Sequence, residues 1–112
     1  MIDAAQTDAV FSALGSTTRR ALLGFMLADG GEAPVQALAD RFAISRPSVS
    51  EHLKVLKDAG LVAERRAGRQ RLYRVEPEPL LAARSWFDVY EEFWRGKMAA
   101  LREVLDEENK DG

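Results

Sequence analysis

The stretch SRPSVSEHLKVLKDAG, residues 45–60, carries the start, the stop and the sidedness of a single helix. Ser45 is a good N-cap, Arg46 and Pro47 fall in the first turn where a missing N–H costs little, and Gly60 closes the helix after Ala59. Val49, Leu53 and Leu56 recur at steps of four and three and make one apolar face, while Pro47, Ser48, Ser50, Glu51 and Lys54 lie toward the opposite side. That outward face is short, polar and slim at its N-terminal end, which suits a helix whose first turns enter the major groove of double-stranded DNA. Arg46 carries the fork that reads guanine, and the serines reach bases or phosphates. An ordinary amphipathic surface helix shows the same sidedness, so the neighbouring segments decide between the two.

A chain of 112 residues is one domain's worth, with apolar content for one core and a projecting element, and residues 1–112 are read as a single domain. There is no run of about 18 apolar residues and no charged-then-apolar leader, so neither a membrane span nor secretion is expected, and a cytoplasmic location is. The absence of cysteine removes disulfides, thiolate metal ligation and thiol redox sensing together. The net charge of −2 argues weakly against nucleic acid, but it is unevenly spread. Residues 1–15 carry −2, residues 16–75 carry +5 from eleven bases against six acids, and residues 76–112 carry −5 from five against ten. A basic middle between acidic ends is what a chain shows when one segment faces phosphates and another, kept away from them, maintains solubility.

Taken in order, residues 7–14 form a short helical pattern in which Ala9, Val10, Phe11, Ala13 and Leu14 are apolar on most sides, so this helix needs cover from elsewhere in an assembly. Gly15 breaks it, and Ser16 or Thr17 caps a second helix to about residue 28, with Ala21, Leu22, Phe25 and Met26 as its buried stripe. Arg19 and Arg20 sit in its first turn, against the favourable direction of the helix dipole, which calls for an anionic partner, a phosphate or an acidic side chain. Asp29-Gly30-Gly31-Glu32 reads as a loop, and Pro34 opens a third helix whose inner residues are Val35, Leu38, Ala39 and Phe42. A short helix, a turn of three residues and a longer capped helix is the helix-turn-helix arrangement, with Ile44 and Leu38 holding its two helices at a fixed angle.

After Gly60 the period changes. Residues 61–66 and 71–75 read as two short strands around Ala67-Gly68-Arg69-Gln70, a hairpin loop with its glycine, and the hairpin as a whole forms a wing over residues 62–75. Arg71, Tyr73 and Val75 share one face of the second strand, on which the tyrosine ring and its valine partner are expected to be buried. Arg65, Arg66, Arg69, Arg71 and Arg74 place five guanidinium groups in ten residues with no acid among them. Arginines of one sign at a loop tip repel one another unless a polyanion joins them, and a narrow minor groove is where such a tip fits. A hairpin that merely solubilises is the plainer alternative.

FSALGSTTRRALLGFM, ALADRFAISRPSVSEHLKVLKDAGLV and ERRAGRQRLYRV stand in an order and spacing that resembles the ArsR-type (arsenical-resistance-repressor-like) winged-helix transcriptional regulators, over residues 7–75. The resemblance implies a dimeric repressor that binds an inverted-repeat, palindromic operator overlapping its target promoter. By matched position it puts recognition-helix contacts on Arg46, Pro47, Ser50 and Glu51, and wing contacts on Arg69 and its neighbours. The departures from the family are informative. Its metal-sensing members use thiolates near the third helix or His and carboxylate ligands in the last helix, whereas residues 34–40 here hold no cysteine and the C-terminal segment no histidine. No metal and no cofactor are therefore expected. His52, the only histidine, lies beside the apolar stripe and reads as a packing or phosphate-contact residue. The second helix opens with STTR where the family often has an Asp-Pro pair before the Thr-Arg, which leaves the role of Arg19 open.

Residues 79–108 form a long helix on which Leu80, Ala83, Phe87, Tyr90, Trp94, Met98, Leu101 and Leu105 step three or four at a time. A helix of about 30 residues spans roughly 45 Å, more than so small a domain covers. The aromatic stripe is read as a homodimer seam, made by Phe87, Tyr90, Trp94, Met98, Leu101 and Leu105 with Val10, Phe11 and Leu14 of the first helix; lining a ligand pocket is the alternative. Gly96 either permits a close crossing or marks a bend.

The expected architecture is mainly α with a small β-hairpin, a winged helix-turn-helix flanked by N- and C-terminal dimerisation helices. Its expected function is transcriptional repression, with Arg46, Ser48, Ser50 and Lys54 meeting the major groove and Arg65, Arg69 and Arg71 the backbone or minor groove. A winged-helix protein-interaction module docking its basic hairpin on an acidic partner is the rival, and a small molecule or protein at the C-terminal helices that relieves repression is compatible with the first reading. No catalytic constellation is present in the sequence.

Overall fold

Three helices of the fold begin where a side chain satisfies a free amide group. In the computed structural model, which describes residues 3–111, Asp3 caps α1 (Ala4–Leu14) by accepting from the Gln6 N–H at 2.8 Å, and Ser16 caps α2 (Thr17–Ala28) by accepting from the Arg19 N–H at 3.2 Å. Two glycines with φ of +87° and +89°, Gly30 and Gly31, then turn the chain into β1 (Glu32–Pro34). Then follow α3 (Val35–Phe42), α4 (Arg46–Asp58), the hairpin β2 (Val62–Ala67) and β3 (Gln70–Val75), and α5 (Pro77–Asp111).

The stripe read from the 45–60 stretch builds the core. Val49, Leu53 and Leu56 of α4 are fully buried against Leu22 and Met26 of α2, Leu38 of α3, Val10 of α1 and Leu61. Burial of side chains of this size contributes roughly 1.5–3 kcal/mol each, and it is this shared centre that fixes α3 and α4 against α2. The stripe on α2 differs by one position from expectation. Leu22, Leu23 and Met26 are buried, Phe25 is half-buried against Phe42 at 5.9 Å between ring centroids, and Ala21 is exposed. Leu23 is buried where Ala21 was expected to be, a choice of face that the period alone left undecided.

The sheet has three strands, in the order β1-β3-β2, all antiparallel. An edge strand that was not expected therefore runs from the last residue of the expected loop, Glu32, to Pro34, which was expected to open the third helix: Ala33 pairs with Tyr73, and Val75 donates its N–H to the Gly31 carbonyl at 2.8 Å. Three residues with a proline carry no strand signal of their own; only the presence of β3 alongside makes them one. At the hairpin, Ala67 pairs with Gln70, so the loop is the two residues Gly68 and Arg69, with Gly68 at φ +64°. As expected, Tyr73 and Val75 are buried.

Two expectations about α1 and α5 change. Helix α5 runs unbroken through Gly96 from Pro77 to Asp111, 35 residues and roughly 52 Å at 1.5 Å per residue. Val10, expected at a dimer seam, is fully buried in the chain's own core and has no surface left for a partner; Phe11 and Leu14 are half-buried beside it. Beyond the buried Ala83, every described side chain of α5 is exposed. The radius of gyration, 19.9 Å, exceeds the roughly 13 Å of a compact chain of this length, because the helix projects. No helix among the described residues is long and apolar enough to cross a membrane.

Candidate nucleic-acid interface

Helix α4 is closed by hydrogen bonds at both of its ends. Ser45 caps it by accepting from the Ser48 N–H at 3.2 Å, and Pro47 lies in the first turn. At the other end Gly60, at φ +81°, donates its N–H to the Lys57 carbonyl at 2.9 Å, and Leu61 donates to the Leu56 carbonyl at 2.9 Å. That pair of bonds is the Schellman closure, and the buried Leu56 and Leu61 supply its apolar contact. The turn before α4 is Ala43, Ile44 and Ser45, with Ala43 left-handed at φ 53° and Ile44 packed on the core.

With Val49, Leu53 and Leu56 turned inward, Arg46, Pro47, Glu51 and Lys54 are exposed, and Ser48 and Ser50 are half-exposed. Ser50, Glu51 and Lys54 line a cleft of about 380 Å³ between α4 and the wing, together with Lys57, Asp58, Glu64, Arg71 and Tyr73. His52 is half-buried on the flank of the helix, away from this cleft. Arg46, Pro47 and Ser48, at the first turn, stand outside it.

The arginine-rich hairpin is less bare than its sequence. Arg65 grips Glu32 of β1 with two bonds, Nε to Oε2 at 3.0 Å and a terminal nitrogen to Oε1 at 2.7 Å. Arg71 donates from Nε to Glu64 Oε1 at 2.8 Å and from a terminal nitrogen to the Tyr73 hydroxyl at 3.0 Å. Arg74 pairs with Glu76 at 2.9 Å. The expectation of five unneutralised guanidinium groups is therefore corrected: Glu32, distant in sequence, Glu64 across the hairpin and Glu76, two residues beyond Arg74, lie within reach in the folded chain. Among the described residues no ion pair involves Arg66 or Arg69, and these two exposed arginines form the positive tip.

Glu64 is the hub that the sequence reading missed. It accepts from Arg71, from the Tyr73 hydroxyl at 3.2 Å and from Lys57 Nζ of α4 at 3.3 Å. The Arg71 bond, with those of Lys57 and Tyr73, holds its carboxyl down at about 2 against the opposing effect of burial. Glu32 is likewise held below its ordinary value by Arg65, and Tyr73 is raised, chiefly by burial. The signal for the hub was present: with Gly68 at the turn, strand pairing sets Glu64 opposite Tyr73 and diagonal to Arg71.

Arg19 and Arg20 also find partners unlike those expected. Arg19 donates from Nε to the Ala13 carbonyl at 2.6 Å and from a terminal nitrogen to that of Ser12 at 3.2 Å, and Arg20 donates to the Leu14 carbonyl at 2.6 Å. The anionic partner is the negative end of the α1 dipole.

Of the residues expected at a dimer seam, Phe87, Tyr90, Trp94, Met98, Leu101 and Leu105 are all about half-exposed on α5. Eleven of the thirteen exposed large hydrophobic side chains lie on this helix. Near its start Phe11 meets Trp86 and Phe87 edge to face, each at 5.7 Å. Among the described residues no three His, Asp or Glu side chains gather as a metal site would need.

A helix-turn-helix whose second helix is free along one face, followed by a hairpin with a positive tip, defines a winged helix-turn-helix domain of the DNA-binding class. Sequence and structure comparisons narrow the class. A helix-turn-helix domain family matches residues 14–65. The HTH-type transcriptional regulator Rv2034 of Mycobacterium tuberculosis is 41% identical over 104 residues, 93% of this chain and 92% of that protein. The crystal structure of an ArsR family transcriptional regulator, RHA00566, aligns with a TM-score of 0.72 at 34% identity, over 84% of this chain and 95% of that one. The homodimeric winged helix-turn-helix DNA-binding domain of Mb0332 from Mycobacterium bovis, a possible ArsR-family regulator, aligns with a TM-score of 0.62 at 28% identity, over 78% of this chain and 80% of that one. The chain belongs to the ArsR family of winged helix-turn-helix transcriptional regulators, a class of DNA-binding proteins that are not enzymes.

Proposed function

We propose that this chain acts as a homodimeric repressor, each protomer placing one α4 in the major groove of one half-site of an inverted-repeat operator. The observation that carries the reading is the pairing of two surfaces. One is the exposed N-terminal face of α4 with the unpaired tip arginines; the other is the projecting apolar face of α5. Arg46, Pro47, Ser48, Ser50, Glu51 and Lys54 face the groove, and Arg69 with Arg66 meets the backbone or the minor groove beside it. Arg65 and Arg71, which the sequence placed at the same surface, are held by Glu32 and Glu64.

The dimer rests on Phe87, Tyr90, Trp94, Met98, Leu101 and Leu105, because so continuous an apolar face in water costs more than a monomer of this size sustains. Mb0332, which is homodimeric, supports the same assembly here. Occupation of an operator that overlaps a promoter excludes polymerase by volume alone, and repression follows.

A fluorescence-anisotropy titration tests the proposal, using duplex DNA from upstream of the protein's own gene against a scrambled duplex, at about 150 mM salt where non-specific binding is weak. Saturation at two protomers per duplex, lost on scrambling, is the expected result. Equal weak binding to both duplexes, with no sequence enriched by selection from random DNA, overturns it.

A further inference from the structure

The cleft between α4 and the wing is where a DNA strand would pass if the helix enters the major groove and the tip reaches beside it, and its charges cancel. Lys54, Lys57 and Arg71 line it with Glu51, Asp58 and Glu64. On either side the charge is bare: Arg46 at the start of α4, and Arg66 and Arg69 at the tip, enter no ion pair among the described residues. The neutralisation is built, not diffuse. Glu64 is only 20% exposed and is shared by Arg71 at 2.8 Å and Lys57 at 3.3 Å, while those two bases remain 43% and 51% exposed. The bases stand at the surface and the acid that holds them lies beneath.

We propose that Glu64 is a specificity-determining residue that keeps Lys57 and Arg71 off the phosphate backbone, so that binding to DNA of any sequence stays weak. The inference rests on the DNA-binding reading given above. Binding to arbitrary sequence is driven by counterion release, and each base that engages a phosphate steepens the dependence of log K on log salt by about 0.9. At 0.15 M salt that amounts to about five-fold in affinity per added contact. A complex on random sequence is free to shift until its charges are satisfied, whereas the operator complex is held in register by base contacts. Two freed bases therefore strengthen the first more than the second, and discrimination falls. A carboxylate that only propped the hairpin would act the other way, its loss weakening both complexes.

Glu64→Gln tests this because the amide keeps the size and one accepting oxygen while removing the charge. Affinity for operator and scrambled duplexes is measured across salt for wild type and variant. The expected result is a scrambled-duplex slope steeper by about 0.9 to 1.8, an affinity at least about five-fold higher at 0.15 M, and a lower operator-to-scrambled ratio. An unchanged or flatter slope, or an unchanged ratio, overturns the proposal.

Lys57→Gln in the otherwise native chain gives a second test that does not depend on the folding of the Glu64 variant. Its slope stays at the wild-type value if the lysine is already committed to Glu64, and a slope flatter by about 0.9 overturns the proposal. Wild-type protein that binds neither duplex refutes the DNA reading itself and is distinct from both results.

Discussion

Arg19 donates to the Ala13 carbonyl across the α1–α2 corner at 2.6 Å, with a second bond to the Ser12 carbonyl at 3.2 Å. A cation in the first turn of α2 thus closes the C-terminal end of α1, where carbonyls lack helical partners. Arg19→Ala is expected to cost about 1.5–3 kcal/mol, the range for hydrogen bonds involving a charged group, read by urea unfolding. Its salt slope on DNA should match wild type, because the guanidinium is already occupied. A flatter slope with unchanged stability assigns Arg19 to the phosphates instead.

Arg46 and Arg69 separate two kinds of contact. Arg46→Ala is expected to lose about 1–3 kcal/mol at one base position of the operator and to relax the preference there. Arg69→Ala should weaken every sequence alike and flatten the slope by about 0.9. Substitutions at each operator position, bound by the two variants, provide the check; two variants that both bind as wild type leave these faces without a role in DNA binding.

Acid sensitivity follows from Glu64. Its carboxyl ionises at about 2 in the folded chain against an ordinary 4.5, so its stabilising contribution is whole above about pH 4.5 and is lost as pH falls through about 2. Glu32, lowered by Arg65, acts in the same direction. Glu64→Gln should be less stable than wild type at neutral pH, with the difference closing across that window. Carboxyl NMR resonances read the titration site by site, and a Glu64 midpoint near 4.5 would mean that the link to Arg71 does not form in solution.

Two left-handed residues predict opposite signs. A Cβ at Gly60 would sit 2.9 Å from the Gln6 amide nitrogen, at φ +81°, so Gly60→Ala should destabilise by about 1–2 kcal/mol or more. Ala43 already carries that strain at φ 53°, and Ala43→Gly should be neutral or stabilise by up to about 1 kcal/mol. Thermal unfolding of the two variants decides both.

Trp94 lies mid-way along the projecting helix, 44% exposed and 6.2 Å from the Tyr90 ring. Trp94→Asp should leave the helix-turn-helix folded and shift the protein to monomer in sedimentation, with operator binding reduced at least about ten-fold by loss of the second half-site. A variant that remains dimeric would place the seam elsewhere on α5.

What the sequence determined by itself is what local chemistry and period decide. The cap at Ser45, the stop at Gly60, the inward stripe of Val49, Leu53 and Leu56, and the burial of Tyr73 follow from residue type and spacing alone. Tertiary structure decided what depends on partners distant along the chain. Val10 went to the core rather than a seam, β1 formed only because β3 offered it an edge, and Arg65 met Glu32 across the sheet while Arg71 met Glu64 across the hairpin. Charge can be counted along a sequence, but neutralisation is a matter of distance, and folding sets the distances. Arg65 and Glu32, thirty-three residues apart, are 2.7 Å apart in space.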